Sequence, residues 1–212
     1  VVRRSAHHPA PVIAPDLFAS RLFRTANLVA LLFGAAFFAM FFATVRFLTE
    51  AWGYDTSEAG LLVTPALAAS SVFAFVGGRL ADRVGHRAVM VPGALLFAAG
   101  GTWLALGVGE EPAIWTVWVP ALLLLGTGVG LVFPNFQSAA IHGVEEHRFG
   151  VAAAAIQTVV RISGTIGIAL AVVLVGGFVA GDPVSEFAPL WWALAALGLA
   201  SAGLSLRLDT RG

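Results

Sequence analysis

The chain of 212 residues contains no cysteine and no lysine, and only 11% of its residues are charged. The absence of cysteine excludes disulfide bonds and thiolate metal sites within the chain. Soluble domains usually carry about 25% charged residues, and a soluble domain of this size could not bury a hydrophobic content of 58%. The net charge of zero gives no indication of nucleic-acid binding. These deficits predict a protein that is surrounded largely by lipid.

Long charge-poor segments predict an all-α membrane protein with six transmembrane helices. About 20 apolar residues, each rising ~1.5 Å, are needed to cross ~30 Å of hydrocarbon. The segments that meet this requirement are Arg24 to Arg46, Glu58 to Arg79, Arg87 to Glu110, Glu111 to Glu145, residues 150–180 and Glu186 to Arg207. We number them as spans one to six.

The spans divide the chain into three parts. We expect residues 1–24 to form a cytoplasmic linker, residues 25–206 the six-helix domain, and residues 207–212 a cytoplasmic tail. Within the linker, Pro15–Arg24 is interpreted either as a short interfacial helix or as a plain turn.

The distribution of arginine predicts the orientation. The terminal segments and the loops after spans two and four carry arginine, whereas the loops on the other side carry aspartate and glutamate but no arginine. Cytoplasmic loops of membrane proteins are enriched in basic residues. We therefore expect both termini to lie in the cytoplasm.

The segment GGRLADRVGHR, residues 77–87, joins spans two and three. Its glycines would allow a sharp turn, and its aspartate could accept hydrogen bonds from a helix N-terminus or pair with a neighbouring arginine. Such a loop could act as a latch that holds one conformation, or it could be an ordinary basic cytoplasmic loop. The candidate latch residues are Gly78, Asp82, Arg83, Gly85 and Arg87.

The spacing of these residues resembles the signature loop of the major facilitator superfamily, G-x-L-a-D-r-x-G-r-R, which joins the second and third helices of each six-helix half. His86 stands where that family often has arginine or lysine. The stretches DLFASRLFR, GYDTSEAGLLVTPALAAS and residues 126–170 are similar to the C-terminal half of the fourteen-helix drug:proton antiporters of the QacA/EmrB type. In the last stretch Val160 stands at the usual arginine, so that Arg161 is offset by one residue.

The resemblance implies one half of a secondary transporter in a bacterial plasma membrane, which exports amphipathic compounds by alternating access in exchange for protons. Its implied partners are lipids, protons, an amphipathic substrate and the missing N-terminal half, and it implies neither catalysis nor a cofactor. The family's proton-carrying acids lie mainly in the other half, so we expect this chain alone not to pump. Aromatic residues in spans one and two favour substrates with a large apolar part, and these substrates could also carry a positive charge.

Two alternatives to a fragment of a longer antiporter remain open. The chain opens with valine, as a fragment or a GUG start codon would. It could instead be a half-size protein that assembles as a homodimer or with a partner half. It could also be a membrane sensor or subunit that transports nothing.

Span five carries a polar stripe near its middle, formed by Gln157, Thr158, Arg161 and Thr165. These residues are spaced to share one face of a helix. An arginine at mid-membrane costs about 2.5–3.5 kcal/mol, so its guanidinium should face a cavity or a partner. We interpret the stripe as lining a translocation path. The alternative is that Arg161 extends to the headgroups or pairs with another helix.

Small residues in spans four and five suggest close helix packing and flexing. We expect the two spans to pack against each other through these faces, with or without a hinge role. The residues concerned are Gly126, Gly130, Pro134, Gly164 and Gly167.

The remaining candidates lie near the ends of the spans. Arg46 and Glu50 predict an i, i+4 ion pair, either an ordinary surface pair or part of an outer gate. Four tryptophans near outer ends are expected to be interfacial anchors: Trp115, Trp118, Trp191 and Trp192. The histidines fall in the N-terminal segment and predicted cytoplasmic loops and suggest no metal site: His7, His8, His86, His142 and His147.

Overall fold

The computed structural model describes residues 19–141, 144–176 and 183–208, which are helical throughout apart from short connections. Each of the six long helices is long and apolar enough to cross a membrane, which confirms the predicted all-α membrane fold. The helices are α1 (Arg21–Glu50), α2 (Thr56–Val84), α3 (His86–Gly107), α4 (Val119–Ile141), α5 (Phe149–Gly176) and α6 (Pro183–Ser205). A π-helical turn (Ile114–Trp118) leads into α4, and a 3-10 turn (Glu146–Arg148) leads into α5.

The starts of α1 and α2 follow from their capping residues. The hydroxyl of Ser20 accepts a hydrogen bond from the Phe23 amide at 3.4 Å and caps α1. Residues 21–24, predicted to end the cytoplasmic linker, therefore belong to α1, and residues 1–18 lie outside the described part. Asp55 and Glu58 form a capping box at the start of α2, in which the carboxylate of each residue accepts a hydrogen bond from the backbone N–H of the other.

The helices pack in a pattern of two equivalent three-helix units, α1–α3 and α4–α6. Helix α4 packs against α2 and α3, α1 packs against α5 and α6, and α3 packs against α6. The contacts of α4 with α2 and α3 correspond to the contacts of α1 with α5 and α6. The contact between α3 and α6 joins equivalent helices of the two units. Internal repeats of this kind are common in transporter folds. Helices α1 and α4 are therefore central, and α2 and α5 are the least covered.

The glycines of α4 and α5 do not join these two helices to each other, so the predicted packing was wrong. A Cβ on Gly126 would meet the backbone of Ala66 in α2, and one on Gly167 would meet the backbone of Ala35 in α1. Gly130 likewise lies against the Ser70 carbonyl of α2. Small residues occur on all of these helices, and helical periodicity does not select the partner helix.

Aromatic side chains fill the end of the bundle that contains the π-helical turn. Trp118 and Trp191 are 0% and 1% exposed and pack around Phe47, so their prediction as interfacial anchors was wrong. The indole Nε1 of Trp118 donates to the Leu62 carbonyl at 3.1 Å, and an internal acceptor of this kind allows a tryptophan to be buried. Trp115 and Trp192 are exposed, as anchors would be.

Candidate functional site

The predicted latch segment is mostly helix, and its turn is a single residue. Helix α2 continues to Val84 and α3 begins at His86, so that only Gly85 connects them. Gly85 has φ of +90°, a conformation that is strained for any residue with a Cβ. The predicted sharp turn is therefore present at Gly85, but Gly78 takes no part in it: it lies within α2, where a Cβ would meet nothing within 4 Å.

The charged residues around this corner are exposed. Asp82 lies in the last turn of α2, Arg83 follows it, and Arg87 is the second residue of α3. Across residues 19–141, 144–176 and 183–208, no ion pair joins Asp82 to either neighbouring arginine. The role of these residues as a latch stays a prediction.

His86 was missed as a structural residue, because it was assigned to an exposed loop. It is 8% exposed, and its Nε2 lies 3.0 Å from the hydroxyl of Ser138 in α4. The bond ties the first residue of α3 to a helix 52 residues further along the chain. The signal available in the sequence was its position directly after a glycine turn, but no local pattern identifies Ser138 as the partner.

The polar residues of α5 lie on one exposed face, as their spacing predicted. Gln157, Thr158, Arg161 and Thr165 are all exposed. The Gln157 amide donates to Oε1 of Gln137 in α4 at 3.1 Å, while the two threonine hydroxyls donate to carbonyls of their own helix. Among the residues that the structure describes, Arg161 forms no ion pair.

An aromatic cluster lies beside this polar face, between α1 and α4. The half-buried rings of Phe37 and Phe38 have centroids 5.1 Å apart, and Phe37 lies 5.2 Å from Phe133. A Cβ on Gly164 of α5 would lie 3.3 Å from the Phe38 ring, so the cluster reaches α5 one turn beyond Arg161. The phenylalanine-rich composition of span one was visible in the sequence, but the contact with Phe133 was not.

Two further candidates have defined positions. Nε of Arg46 lies 2.7 Å from both carboxylate oxygens of Glu50, with side chains 34% and 47% exposed. An exposed i, i+4 pair contributes only a few tenths of a kcal/mol, and its gating role stays a prediction. Pro134 lies within α4, where it removes the usual hydrogen-bond donor to the Gly130 carbonyl. A hinge at this point also stays a prediction.

Comparison with known proteins gives the family. A family model described as Major Facilitator Superfamily matches residues 26–211. The lincomycin resistance protein of Streptomyces lincolnensis is 31% identical over 207 residues, which cover 97% of this chain and 42% of that protein. The multidrug transporter protein MdtP of Bacillus subtilis is 26% identical over 160 residues, covering 76% of this chain and 29% of that protein.

A third relative is a triacylglyceride transporter of Mycolicibacterium hassiacum, 36% identical over 161 residues that cover 70% of this chain and 29% of that protein. The chain thus spans less than half the length of these curated relatives. Because the family match extends over six helices that are long and apolar enough to cross a membrane, the chain is an integral membrane protein that belongs to the Major Facilitator Superfamily.

Proposed function

We propose that this chain is the C-terminal six-helix half of a transporter that exports amphipathic small molecules in exchange for protons by alternating access. The observation that carries the proposal is the exposed polar face of α5 with Arg161 near its centre. Lipid cannot satisfy a guanidinium at mid-membrane, which costs about 2.5–3.5 kcal/mol. A second half that encloses a polar path would satisfy it, because such halves pair around a midplane site.

The coverage of the helices supports a missing half. Helices α2 and α5 expose the largest share of their surface, and Asp82 and Arg161 both lie on exposed positions of these two helices. The length of the relatives leaves room for further helices, since each is more than twice the length of the matched region. The family's two-half architecture makes α2 and α5 the natural interface with the other half.

The placement of acidic residues supports a proton site outside this chain's helices. In the described ranges, every aspartate and glutamate lies in a connection or in the first or last turn of a spanning helix. A group that takes up and releases a proton in mid-membrane therefore belongs to the other half. We propose no catalytic role for the chain.

The α2–α3 corner suits a latch that engages the other half. Gly85 fixes a tight turn and His86 ties α3 to α4, so the exposed carboxylate of Asp82 and guanidinium of Arg83 are presented from a rigid corner. The arginines at this end of the bundle support a cytoplasmic position for the corner and for both termini. The proposed membrane is the bacterial plasma membrane.

Transport by the complete gene product tests the proposal. Cells that express it should accumulate less of an amphipathic dye than cells that express an Asp82→Asn variant, and collapse of the proton gradient should abolish the difference. The 212-residue chain alone should reduce accumulation only if two copies assemble, which chemical cross-linking would detect as a dimer. Equal dye accumulation in cells with and without the complete protein would refute an efflux function.

A further inference from the structure

Arg161 lies close to the centre of its helix. It follows Phe149, the first residue of α5, by twelve positions and precedes Gly176, the last, by fifteen. At ~1.5 Å per residue the Cα lies about 18 Å along the helix from its first residue. The guanidinium is therefore not placed to reach either lipid headgroup region without bending far along the helix surface.

The neighbours of Arg161 on α5 show which part of the helix surface it shares. Gln157 lies about 40° around the helix from Arg161 and is held to Gln137 of α4. The exposed apolar residues Ile162 and Ile166 lie about 100° and 140° around in the opposite direction. Ile168 and Val172 are also exposed and lie within about 20° of Arg161 around the helix, but two and three turns further along α5. The exposed surface of α5 thus has an apolar strip through Ile162 and Ile166, and beside it a strip that contains Arg161 and is polar from Gln157 to Thr165.

The charge of Arg161 has no counterpart in the part of the chain that is described. Ion pairs there involve other residues, and acidic side chains are confined to connections and helix ends. The hydroxyls of Thr158 and Thr165 already donate to backbone carbonyls. The guanidinium, with five N–H donors and no acceptor, is the strong hydrogen-bonding group of this face.

The aromatic cluster supplies a second recognition element next to this charge. Phe37, Phe38 and Phe133 form a half-buried surface between α1 and α4, and Phe38 reaches α5 at Gly164. An ion pair with the other half would not require such a surface. A bound molecule with a flat apolar body and an anionic group would contact both elements.

We propose that this half of the transport site binds amphipathic anions, with Arg161 pairing with the oxyanion and the cluster of Phe37, Phe38 and Phe133 contacting the apolar body. The proposal rests on the proposed transport function and narrows its substrate class. The aromatic residues of spans one and two were equally consistent with cationic substrates, whereas this proposal requires an anionic group. Arginine suits this role because its planar fork matches a carboxylate with two parallel hydrogen bonds.

Three probes with one aromatic body test the substrate class: pyrenebutyrate, its methyl ester, and pyrenebutyltrimethylammonium. Their equilibrium binding to the purified complete gene product is compared at neutral pH. We expect the anion to bind at least tenfold more tightly than the ester, a difference of about 1.4 kcal/mol, and more tightly still than the cation. Arg161→Gln should weaken binding of the anion about tenfold or more and change binding of the ester less than twofold.

Two further variants separate recognition from folding. Arg161→Lys keeps the positive charge and should keep much of the preference for the anion. Arg207→Gln removes an exposed arginine two residues beyond the end of α6 and should leave all three affinities unchanged. If the native protein binds ester and anion equally, Arg161 has its counter-charge in the other half and the proposal fails. It also fails if Arg161→Gln weakens anion and ester binding by the same factor.

The outcome also distinguishes this proposal from the transport function itself. If cells export the methyl ester but the purified protein shows no preference for the anion, transport stands and the anion site is refuted. If none of the three probes is bound, the anion site is refuted, and the transport function is decided separately by the accumulation of dye in cells.

Discussion

Nε2 of His86 lies 3.0 Å from the hydroxyl oxygen of Ser138, and this contact joins the start of α3 to α4 at the corner that bears the exposed Asp82. The family often has a basic residue at the histidine position. A buried imidazole bonded to a neighbouring helix holds the start of α3 against α4.

Removing the hydroxyl should loosen this corner. Ser138→Ala removes a hydrogen bond between α3 and α4, which costs about 0.5–1.5 kcal/mol. We expect a lower midpoint of thermal unfolding for the purified complete gene product. Ser71→Ala is the control, because Ser71 is exposed like Ser138 but bonds to the Leu67 carbonyl of its own helix. Equal midpoints for the two variants would show that the contact with Ser138 does not stabilise the corner.

Adding a methyl group at Gly85, the turn between α2 and α3, should lower the stability of the protein, whereas adding one at Gly78 should not. Gly85→Ala places a Cβ at φ of +90°, and residues held in such regions cost about 1–3 kcal/mol each. Gly78→Ala adds a Cβ in open helical space, where alanine is favoured over glycine by about 1 kcal/mol. Unfolding midpoints should fall for the first variant and stay level or rise for the second, and the reverse order would contradict the single-residue turn.

The backbones of α4 and α2 are packed too closely at Gly130 for a larger residue at this position. A Cβ on Gly130 would overlap the Ser70 carbonyl, so Gly130→Ala must push two backbones apart, at a cost of about 1–3 kcal/mol. Gly60→Ala is the matched control on α2, because a Cβ there meets nothing within 4 Å. The yield of protein that elutes as one monodisperse peak in detergent should drop for Gly130→Ala alone. Wild-type yield for that variant would show that α4 and α2 are less closely packed.

The indole of Trp118 should contribute through its hydrogen bond as well as its bulk. Trp118→Phe keeps a ring but removes the donor to the Leu62 carbonyl, and a hydrogen bond of this type contributes about 0.5–1.5 kcal/mol. Trp115→Phe changes a tryptophan that is 82% exposed and should leave stability unchanged. If both variants unfold at the wild-type temperature, the buried indole N–H does not stabilise the packing of α4 on α2.

The sequence predicted the helices well and their partners poorly. Runs of apolar residues bounded by charges determine where spans lie, because crossing hydrocarbon is a requirement on each helix separately. The polar face of α5 was also predictable, since Gln157 and Arg161 are related by helical periodicity alone. The bond from His86 to Ser138, the fit of Gly130 against Ser70 and the burial of Trp118 depend on residues more than fifty positions apart, which no local pattern relates.

If the proposed function is correct, the polar face of α5 lines an aqueous path between two halves. The chain has no cysteine, so single cysteines can be introduced on α5 without background from this half, with any cysteines elsewhere in the complete gene product replaced. Thr165→Cys should react with a membrane-impermeant maleimide, and bound substrate should slow the reaction, whereas Ile166→Cys on the adjacent apolar side should be protected by lipid. Rapid labelling at 166 with protection at 165 would place the polar face against lipid or sealed protein and would contradict the account.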